Sequence, residues 1–346
     1  MEPATLRPAA ELHVHLRGAM PPAYFAQLLE RHPPARALAQ APERHLAFFR
    51  RWPHLAGFLA PDAPAGADLF GFSTFPGFLA SYLLSGYFVR TPADFRGLLD
   101  AVATDFVAQG LRYAEVTVSV PEYLMQGIPL EAVCEALSEA SRRPDIRLRW
   151  IVDLVRNFGH DAALDLLRRL LARPPAGWVG VTLGGSEAEF PPGPFRESFE
   201  LARAHGLGLT VHAGEAAGPE SVWEALRELR VDRIGHGVRA VEDPRLVEHL
   251  AERGIPLEVC LTGNVKTGVF PSLAAHSLPQ LDAAGVAFTL NTDDPTFFAT
   301  TLAGEFEAAR SLGISEQALG DALANVERFA FDRDACRIRF SPLRLC

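Results

Sequence analysis

Apolar runs alternate with amphipathic stretches along most of the chain. Seven runs have the length and residue types of buried strands, at 111–119, 147–155, 178–183, 208–212, 232–236, 256–260 and 286–291. Helical stretches lie between them, at 129–142, 160–173, 195–205, 219–229, 243–253 and 274–284. Near the N-terminus, alternating polar and apolar side chains predict an eighth strand at 11–16. Eight strands with intervening helices predict an α/β fold, a closed (β/α)8 TIM barrel.

The alternative is a doubly wound open sheet. No Gly-x-Gly-x-x-Gly motif follows the first strand, which disfavours the nucleotide-binding form of that fold. The chain predicts a helical insertion after strand 1, at about 20–110, and C-terminal helices after about 303; the Pro- and Ala-rich segment 33–66 has no clear period. No linker or repeat divides the 346 residues, so we expect a single domain over 1–346.

The composition excludes several classes of partner. A formal net charge of −9 argues against nucleic acid or an anionic membrane, and no apolar run reaches transmembrane length. The N-terminus lacks the layout of a signal peptide, and the four cysteines show no paired or Cys-x-x-Cys spacing. We therefore expect a cytoplasmic protein that acts on a small molecule.

The candidate chemistry begins on the first strand. His13 and His15 are two residues apart, so both imidazoles point to one face of that strand. Two converging imidazoles form half of a zinc site. The alternative is that they are surface or core histidines, since His-x-His alone is common.

Other polar residues follow where later apolar strands end. His212 and Glu215 end the fifth strand, His236 ends the sixth, and Asp293-Asp294 end the eighth. In a barrel these strand ends form the catalytic face. Each residue has a structural alternative, as a core histidine, a turn residue or a helix N-cap. Their coincidence at four strand ends favours a functional site.

Residue chemistry divides the roles among these side chains. Zinc hydrolases use three or four nitrogen or oxygen ligands, which predicts as ligands His13, His15, His212 and one of Asp293 and Asp294. Zinc lowers the pKa of bound water, and His236 is free to accept its proton or orient the hydroxide. Glu215 can donate a proton if an apolar site raises its pKa. This set suits hydrolytic attack on an sp² carbon with a nitrogen leaving group.

One metal ion is favoured over two. Binuclear barrel hydrolases commonly bridge their metals with a carbamylated lysine near the end of strand four. The only lysine of this chain, Lys266, lies beyond the seventh strand. We therefore expect one zinc ion per chain.

Four motifs together resemble the adenosine deaminase family. They are Glu-Leu-His-Val-His-Leu at 11–16, His-Ala-Gly-Glu at 212–215, Arg-Ile-Gly-His-Gly at 233–237 and Leu-Asn-Thr-Asp-Asp-Pro at 290–295. The resemblance spans nearly the whole chain. It implies an amidohydrolase barrel with one zinc ion that hydrolyses the 6-amino group of a purine to a 6-oxo group and releases ammonia. The Cys-x-x-Cys signature of the small zinc deaminases is absent.

The resemblance also implies individual roles. Asp293 would complete the zinc ligands, and Glu215 would protonate purine N1 while His236 orients or deprotonates the water. Asp294 would hydrogen-bond purine N7, and the backbone N–H of Gly185 would meet N3.

One residue departs from the family pattern. Where adenosine deaminases normally have an aspartate that binds the ribose 5′-hydroxyl, this chain has Arg17. Arginine is a permanently charged donor, so it favours a substrate with an anionic or acceptor-rich group beyond the ribose. The alternative is that Arg17 faces solvent or pairs with an acid such as Glu187.

These observations lead to a substrate hypothesis, 6-amino-6-deoxyfutalosine of menaquinone biosynthesis, which carries a benzoate on its 5′ side. Arg17 would pair with the carboxylate, and an aromatic cluster would pack on the ring, namely Phe72, Phe75, Phe78 and Tyr82. The alternative for these four aromatic residues is that they only form part of the hydrophobic core. Adenosine, adenine and AMP are alternative substrates. A catalytically silent purine-binding relative and a zinc hydrolase of another amide or phosphoester are alternative functions.

Overall fold

The computed structural model describes residues 8–59 and 68–332, and parallel strands form its centre. One sheet contains, in order, β1 (Ala10–His15), β2 (Tyr113–Val118), β3 (Arg147–Asp153), β4 (Trp178–Thr182) and β5 (Gly208–Leu209). The other contains β6 (His212–Ala213), β7 (Ile234–His236), β8 (Leu257–Val259) and β9 (Phe288–Leu290). Neighbouring strands pair in parallel throughout both sheets.

The two sheets are parts of one barrel. The predicted fifth strand is split into β5 and β6, but the N–H groups of Thr210 and His212 still donate to Val181 (3.1 Å) and Leu183 (3.3 Å) beside β4. On the other side, Val14 forms a parallel bridge with Asp293, which joins β1 to the segment after β9. The (β/α)8 prediction is therefore confirmed, with an interrupted fifth strand.

The predicted insertion after β1 is helical. It contains α1 (Pro22–Arg31), α2 (Pro34–Ala37), α3 (Glu43–Phe49), α4 (Ala56–Leu59), α5 (Phe75–Gly86) and α6 (Pro92–Ala108). Prolines begin α1, α2 and α6, where the absent N–H costs no helical hydrogen bond. The segment without a clear period thus includes three short helices, and its residues 60–66 lie outside the described part of the chain.

Helices also follow the later strands. They are α7 (Val120–Met125), α8 (Leu130–Ala140), α9 (His160–Ala172), α10 (Arg196–Ala204), α11 (Pro219–Glu224), α12 (Pro244–Arg253), α13 (Leu261–Lys266), α14 (Leu278–Ala283), α15 (Pro295–Phe298), α16 (Leu302–Ser311) and α17 (Glu316–Phe329). The helix predicted at 219–229 ends in a π-helical turn, and the one at 274–284 is reduced to α14. After residue 301 the chain is helical in α16 and α17 as far as Phe329, and residues 333–346 lie outside the described part.

The strands are buried on both faces, as expected for a parallel barrel covered by helices. Within residues 8–59 and 68–332, no helix has both the length and the apolar character needed to cross a membrane. That all 346 residues form one domain stays a prediction.

Asp94 joins two helices of the insertion. It completes a capping box with Thr91 at the start of α6, and it accepts hydrogen bonds from Arg31 (2.8 Å) and His32 (2.8 Å) at the end of α1. Burial opposes ionisation of this carboxyl, but hydrogen bonds from Thr91 and His32 outweigh it and lower the pKa of Asp94.

Asp94→Asn should lower the free energy of unfolding by about 1–3 kcal/mol at pH 7, because charge-assisted hydrogen bonds are lost. Since the folded-state pKa is depressed, this stabilisation is complete above about pH 4 and is lost as the pH falls through the folded pKa. Denaturant unfolding at pH 7 and in acid measures this effect: the difference in free energy of unfolding between Asp94→Asn and wild type should be smaller in acid. The control is Asp105→Asn on the same helix, where the carboxylate accepts a hydrogen bond from Gln109. Equal effects of the two variants at pH 7 would contradict a stabilising role of Asp94 between α1 and α6.

Candidate functional site

Three histidines and an aspartate from three strand ends meet at one point, and two of the histidines lie on β1. His13 Nε2 lies 2.9 Å from His212 Nε2 and 3.5 Å from Asp293 Oδ1. His15 Nε2 lies 3.3 Å from the same aspartate oxygen. All four side chains are buried. The structure therefore brings together the residues that the sequence singled out as ligands.

The backbone around the cluster fixes the direction of these side chains. The N–H of His15 donates to the carbonyl of Asp293 (2.7 Å), and the N–H of Asp293 donates to the carbonyl of His13 (3.1 Å). Asp293 and His236 have φ angles of 62° and 61°, a left-handed conformation that is uncommon for residues other than glycine. Such conformations persist where the surrounding structure holds them, often at functional sites.

A chain of buried charges lies behind His13. Its Nδ1 is 2.7 Å from Glu258 Oε2, and Arg233 donates to Glu258 (2.5 Å) and to Glu115 (2.8 Å). Burial opposes ionisation of Glu258, but the charge of Arg233 and the hydrogen bond to His13 outweigh it and lower the pKa of Glu258 to about 2. An ionised Glu258 only accepts, so Nδ1 of His13 carries a proton and Nε2 faces the cluster. None of these three residues was predicted from the sequence to belong to the site, although Glu115 and Glu258 are single charges inside apolar strands.

The cluster fits a metal ion. Imidazole nitrogens and a carboxylate oxygen are the ordinary ligands of a catalytic zinc site, and the candidate ligand atoms lie within 4.8 Å of one another in the set His13, His15 and His212. Burial and the neighbouring histidines hold the pKa of His212 well below its ordinary value, which keeps that imidazole in the neutral, ligating form.

Glu215 and His236 lie side by side next to the cluster. Glu215 Oε2 is 3.5 Å from His236 Nε2, and the amide of Asn264 is 3.3 Å from both Glu215 Oε1 and His236 Nδ1. The carboxylate of Glu187 accepts hydrogen bonds from the backbone N–H groups of Gly214 (2.6 Å) and Glu215 (3.2 Å). These bonds hold the loop that follows β6 in place. Asn264 was not among the residues predicted from the sequence.

The electrostatic environment separates this pair into an acid and a base. Burial, followed by the charges of Asp293 and Glu187, raises the pKa of Glu215 well above its ordinary value. Burial lowers the pKa of His236 to about 3. The upward shift favours the protonated form of Glu215, and the downward shift leaves the imidazole of His236 neutral at pH 7, so a group suited to donate a proton lies next to one suited to accept it.

Asp294 and Gly185 both line the cavity beside the cluster. Burial and the charge of Asp293 raise the pKa of Asp294 to about 8, and among the described residues its buried Oδ1 has no hydrogen-bond partner. Gly18 makes room for this carboxyl, because a Cβ there would lie 1.9 Å from Asp294 Oδ1. Gly185 has a φ of 99°, which favours glycine.

The cavity has a volume of about 450 Å³ and continues outward from the cluster between the barrel and the insertion. Phe75, Phe78 and Tyr82 of α5 line it, as expected. Phe72 does not; it packs behind this wall, with its ring centroid 5.5 Å from that of Phe78. Its predicted contact with a bound ring is therefore not supported by its position.

Arg17 lines the cavity but is already paired. Its Nη1 lies 2.6 Å from Glu122 Oε2, and its guanidinium stacks 3.8 Å from the centroid of the Tyr82 ring. It neither faces solvent nor contacts Glu187. Glu122 could not be predicted as this partner from the sequence, because it lies on α7, after the second strand, and meets Arg17 only in the folded chain.

Comparison with known proteins agrees with this geometry. A family model described as adenosine deaminase matches residues 8–338. The chain belongs to the adenosine deaminase family. It is therefore a hydrolytic deaminase, and the sequence-based assignment to this family is confirmed.

Two relatives in this family are named for different substrates. An aminodeoxyfutalosine deaminase of Streptomyces avermitilis is 36% identical over 333 residues, which are 94% of this chain and 86% of that protein. An adenosine deaminase of Yersinia enterocolitica is 44% identical over 234 residues, which are 66% of this chain and 70% of that protein.

Solved structures share the fold. An adenine deaminase from Arthrobacter aurescens has a TM-score of 0.81 at 28% identity and covers 96% of this chain and 97% of its own. An amidohydrolase from Burkhoderia ambifaria, described with bound Zn, has a TM-score of 0.78 at 25% identity and covers 99% of this chain and 93% of its own.

Glu258→Gln should weaken zinc binding by about 10–100-fold, because an amide orients His13 less strongly than a carboxylate does. Competition with a chromophoric chelator measures this affinity directly. Glu305→Gln is a matched control, since this buried glutamate accepts from Thr262 and Thr300 and does not contact a histidine of the cluster. Equal zinc affinity of both variants would show that Glu258 does not position His13.

Proposed function

We propose that the protein is a zinc-dependent deaminase that hydrolyses the 6-amino group of an adenine nucleoside to a 6-oxo group and releases ammonia. The observation that carries the proposal is the convergence of His13, His15, His212 and Asp293 beside an acid–base pair. When bound, zinc supplies a water molecule acidic enough to react near neutral pH. One zinc ion per chain, in one domain spanning residues 1–346, completes the proposal.

The neighbouring side chains have complementary roles toward a purine. Glu215, whose raised pKa favours the protonated form, donates its proton to N1 as C6 is attacked. The neutral His236 accepts a proton from the attacking water or orients it. Asp294, whose pKa is raised to about 8, can donate a hydrogen bond to N7, and the N–H of Gly185 can meet N3.

The proposed substrate is 6-amino-6-deoxyfutalosine. The Streptomyces avermitilis relative that aligns with 94% of this chain is an aminodeoxyfutalosine deaminase. In addition, the cavity continues past the cluster along the rings of Phe75, Phe78 and Tyr82, which suit an aromatic group on the 5′ side of a nucleoside. A carboxylate or other acceptor on that extension would complement the arginines of the cavity.

Adenosine is the second candidate. The Yersinia enterocolitica relative, an adenosine deaminase, has the higher identity over the shorter aligned region. Arg17 weighs against adenosine, because it stands where the family normally has a hydroxyl-binding aspartate.

Glu215→Gln should retain zinc and lose at least about 100-fold in kcat, because an amide cannot donate the proton that general acid catalysis requires. Zinc content and steady-state deamination measure the two effects separately. Glu220→Gln, an exposed residue at the start of α11, is the control. Normal deamination by Glu215→Gln would remove Glu215 from the mechanism.

The wild-type enzyme should show a kcat/KM for 6-amino-6-deoxyfutalosine at least about tenfold above that for adenosine, since one good contact to the extension contributes at least this factor. Loss of the adenine absorption band follows both reactions, and adenine and AMP complete the panel. A preference for adenosine would overturn the substrate proposal and leave the deaminase proposal intact. No deamination of any 6-aminopurine would overturn both.

A further inference from the structure

Two arginines line the cavity, and they differ in what a ligand can reach. Arg17 is 3% exposed, its Nη1 pairs with Glu122, and its Nε and Nη2 are both buried with no hydrogen-bond partner in residues 8–59 and 68–332. The carboxylate of Glu122 balances the charge of Arg17, and the remaining N–H donors of Arg17 are buried. Arg44 also lines the cavity but is exposed.

Arg44 lies at the outer end of the cavity, on α3 of the insertion. The wall can be followed from the cluster outward: the rings of His15 and Tyr82 are 6.4 Å apart, and Tyr82 stacks on Arg17. Tyr87 continues the wall, and its hydroxyl lies 2.5 Å from Nδ1 of His45. Arg44 is exposed and lies close enough to His45 and Tyr87 for its charge to act on both, which places it at the solvent-facing end of this wall.

The charge of Arg44 is uncompensated in the described part of the chain. The adjacent Glu43 forms an ion pair with Arg50, and no residue in 8–59 or 68–332 forms an ion pair with Arg44. The inner end of the cavity, by contrast, carries the carboxyl groups of Glu215, Asp293 and Asp294. Those three carboxyl groups offer no cation to an anionic group of a ligand, whereas the guanidinium of Arg44 attracts it.

The wall between the two ends is largely apolar. Leu79, Leu83 and Met125 line the cavity together with the aromatic rings of α5. This lining accommodates an aromatic or aliphatic linker between a purine nucleoside at the cluster and an anion at the mouth.

We propose that Arg44 binds the carboxylate at the far end of the 5′ extension of the substrate, in place of the Arg17 contact expected from the sequence. This inference rests on the proposed function and adds the residue that reads the anionic group. Arginine suits the task because its planar fork binds a carboxylate through two parallel hydrogen bonds. Arg17, held by Glu122 and Tyr82, remains a structural part of the wall.

The test compares Arg44→Ala, Arg44→Lys and Arg17→Ala with wild type on three substrates: 6-amino-6-deoxyfutalosine, its carboxylate methyl ester, and adenosine. Arg44→Ala should raise KM for the free acid about 10–100-fold with kcat nearly unchanged, as expected for loss of one charge-assisted contact. KM for the ester and for adenosine should stay within about twofold, and Arg44→Lys should recover part of the loss. Arg51→Ala, an exposed arginine of the same segment outside the cavity lining, is the matched control.

The outcomes separate this inference from the function on which it rests. If the wild-type enzyme deaminates the free acid but Arg44→Ala has the same KM as Arg51→Ala, the Arg44 assignment is wrong and the proposed function stands. A loss confined to the free acid in Arg17→Ala, with Arg44→Ala unaffected, would return the carboxylate to Arg17. If the wild-type enzyme does not deaminate the free acid, the proposed substrate and this inference fall together.

Discussion

The seam between the first and last strands is the constraint on which the site depends. Two backbone hydrogen bonds join His13 and His15 to Asp293, and the bridge between Val14 and Asp293 closes the barrel at the same place. Closing the sheet and assembling the ligand cluster are therefore one event. A barrel that failed to close would separate the N-terminal imidazoles from the carboxylate, and neither half would hold a cation alone.

The position of the cluster residues at strand ends explains which parts of the site could be predicted from the sequence. The cluster residues follow apolar strands, and parallel strands in a barrel place their carboxyl ends on one face, so position along the chain was enough to group them. Glu258, Arg233 and Glu122 were not accessible in this way. Glu258 pairs with His13 across 245 positions, Arg233 with Glu258 across 25, and Glu122 with Arg17 across 105. Hydrophobic periodicity carries no information about such partners. The interruption of the fifth strand was missed for a related reason, because strand pairing and not local pattern sets where the ladder breaks.

The buried charges also show that this site is built at the expense of stability. Burying a carboxylate or a guanidinium is costly unless it is paired, and here Arg233 lies between Glu115 and Glu258 with every member almost fully buried. The left-handed backbone at His236 and Asp293 adds strain of about 1–3 kcal/mol per residue. A large apolar core compensates for these costs, with Trp150, Phe106 and Phe199 among its largest fully buried side chains.

The same logic distinguishes the two ends of the cavity. At the inner end, burial shifts the two pKa values in opposite directions, up for Glu215 and down for His236, because it disfavours the charged form of each group. At the mouth, solvent screens charges and burial has little influence, so selectivity must come from geometry and from one accessible cation. A family that keeps its inner chemistry constant can therefore change substrates at the insertion without disturbing the cluster, because α3 and α5 contribute to the wall but supply no member of the cluster. In this chain Glu122 pairs with Arg17, so under the proposed function the outer helices of the insertion are left to contact the part of the substrate beyond the ribose.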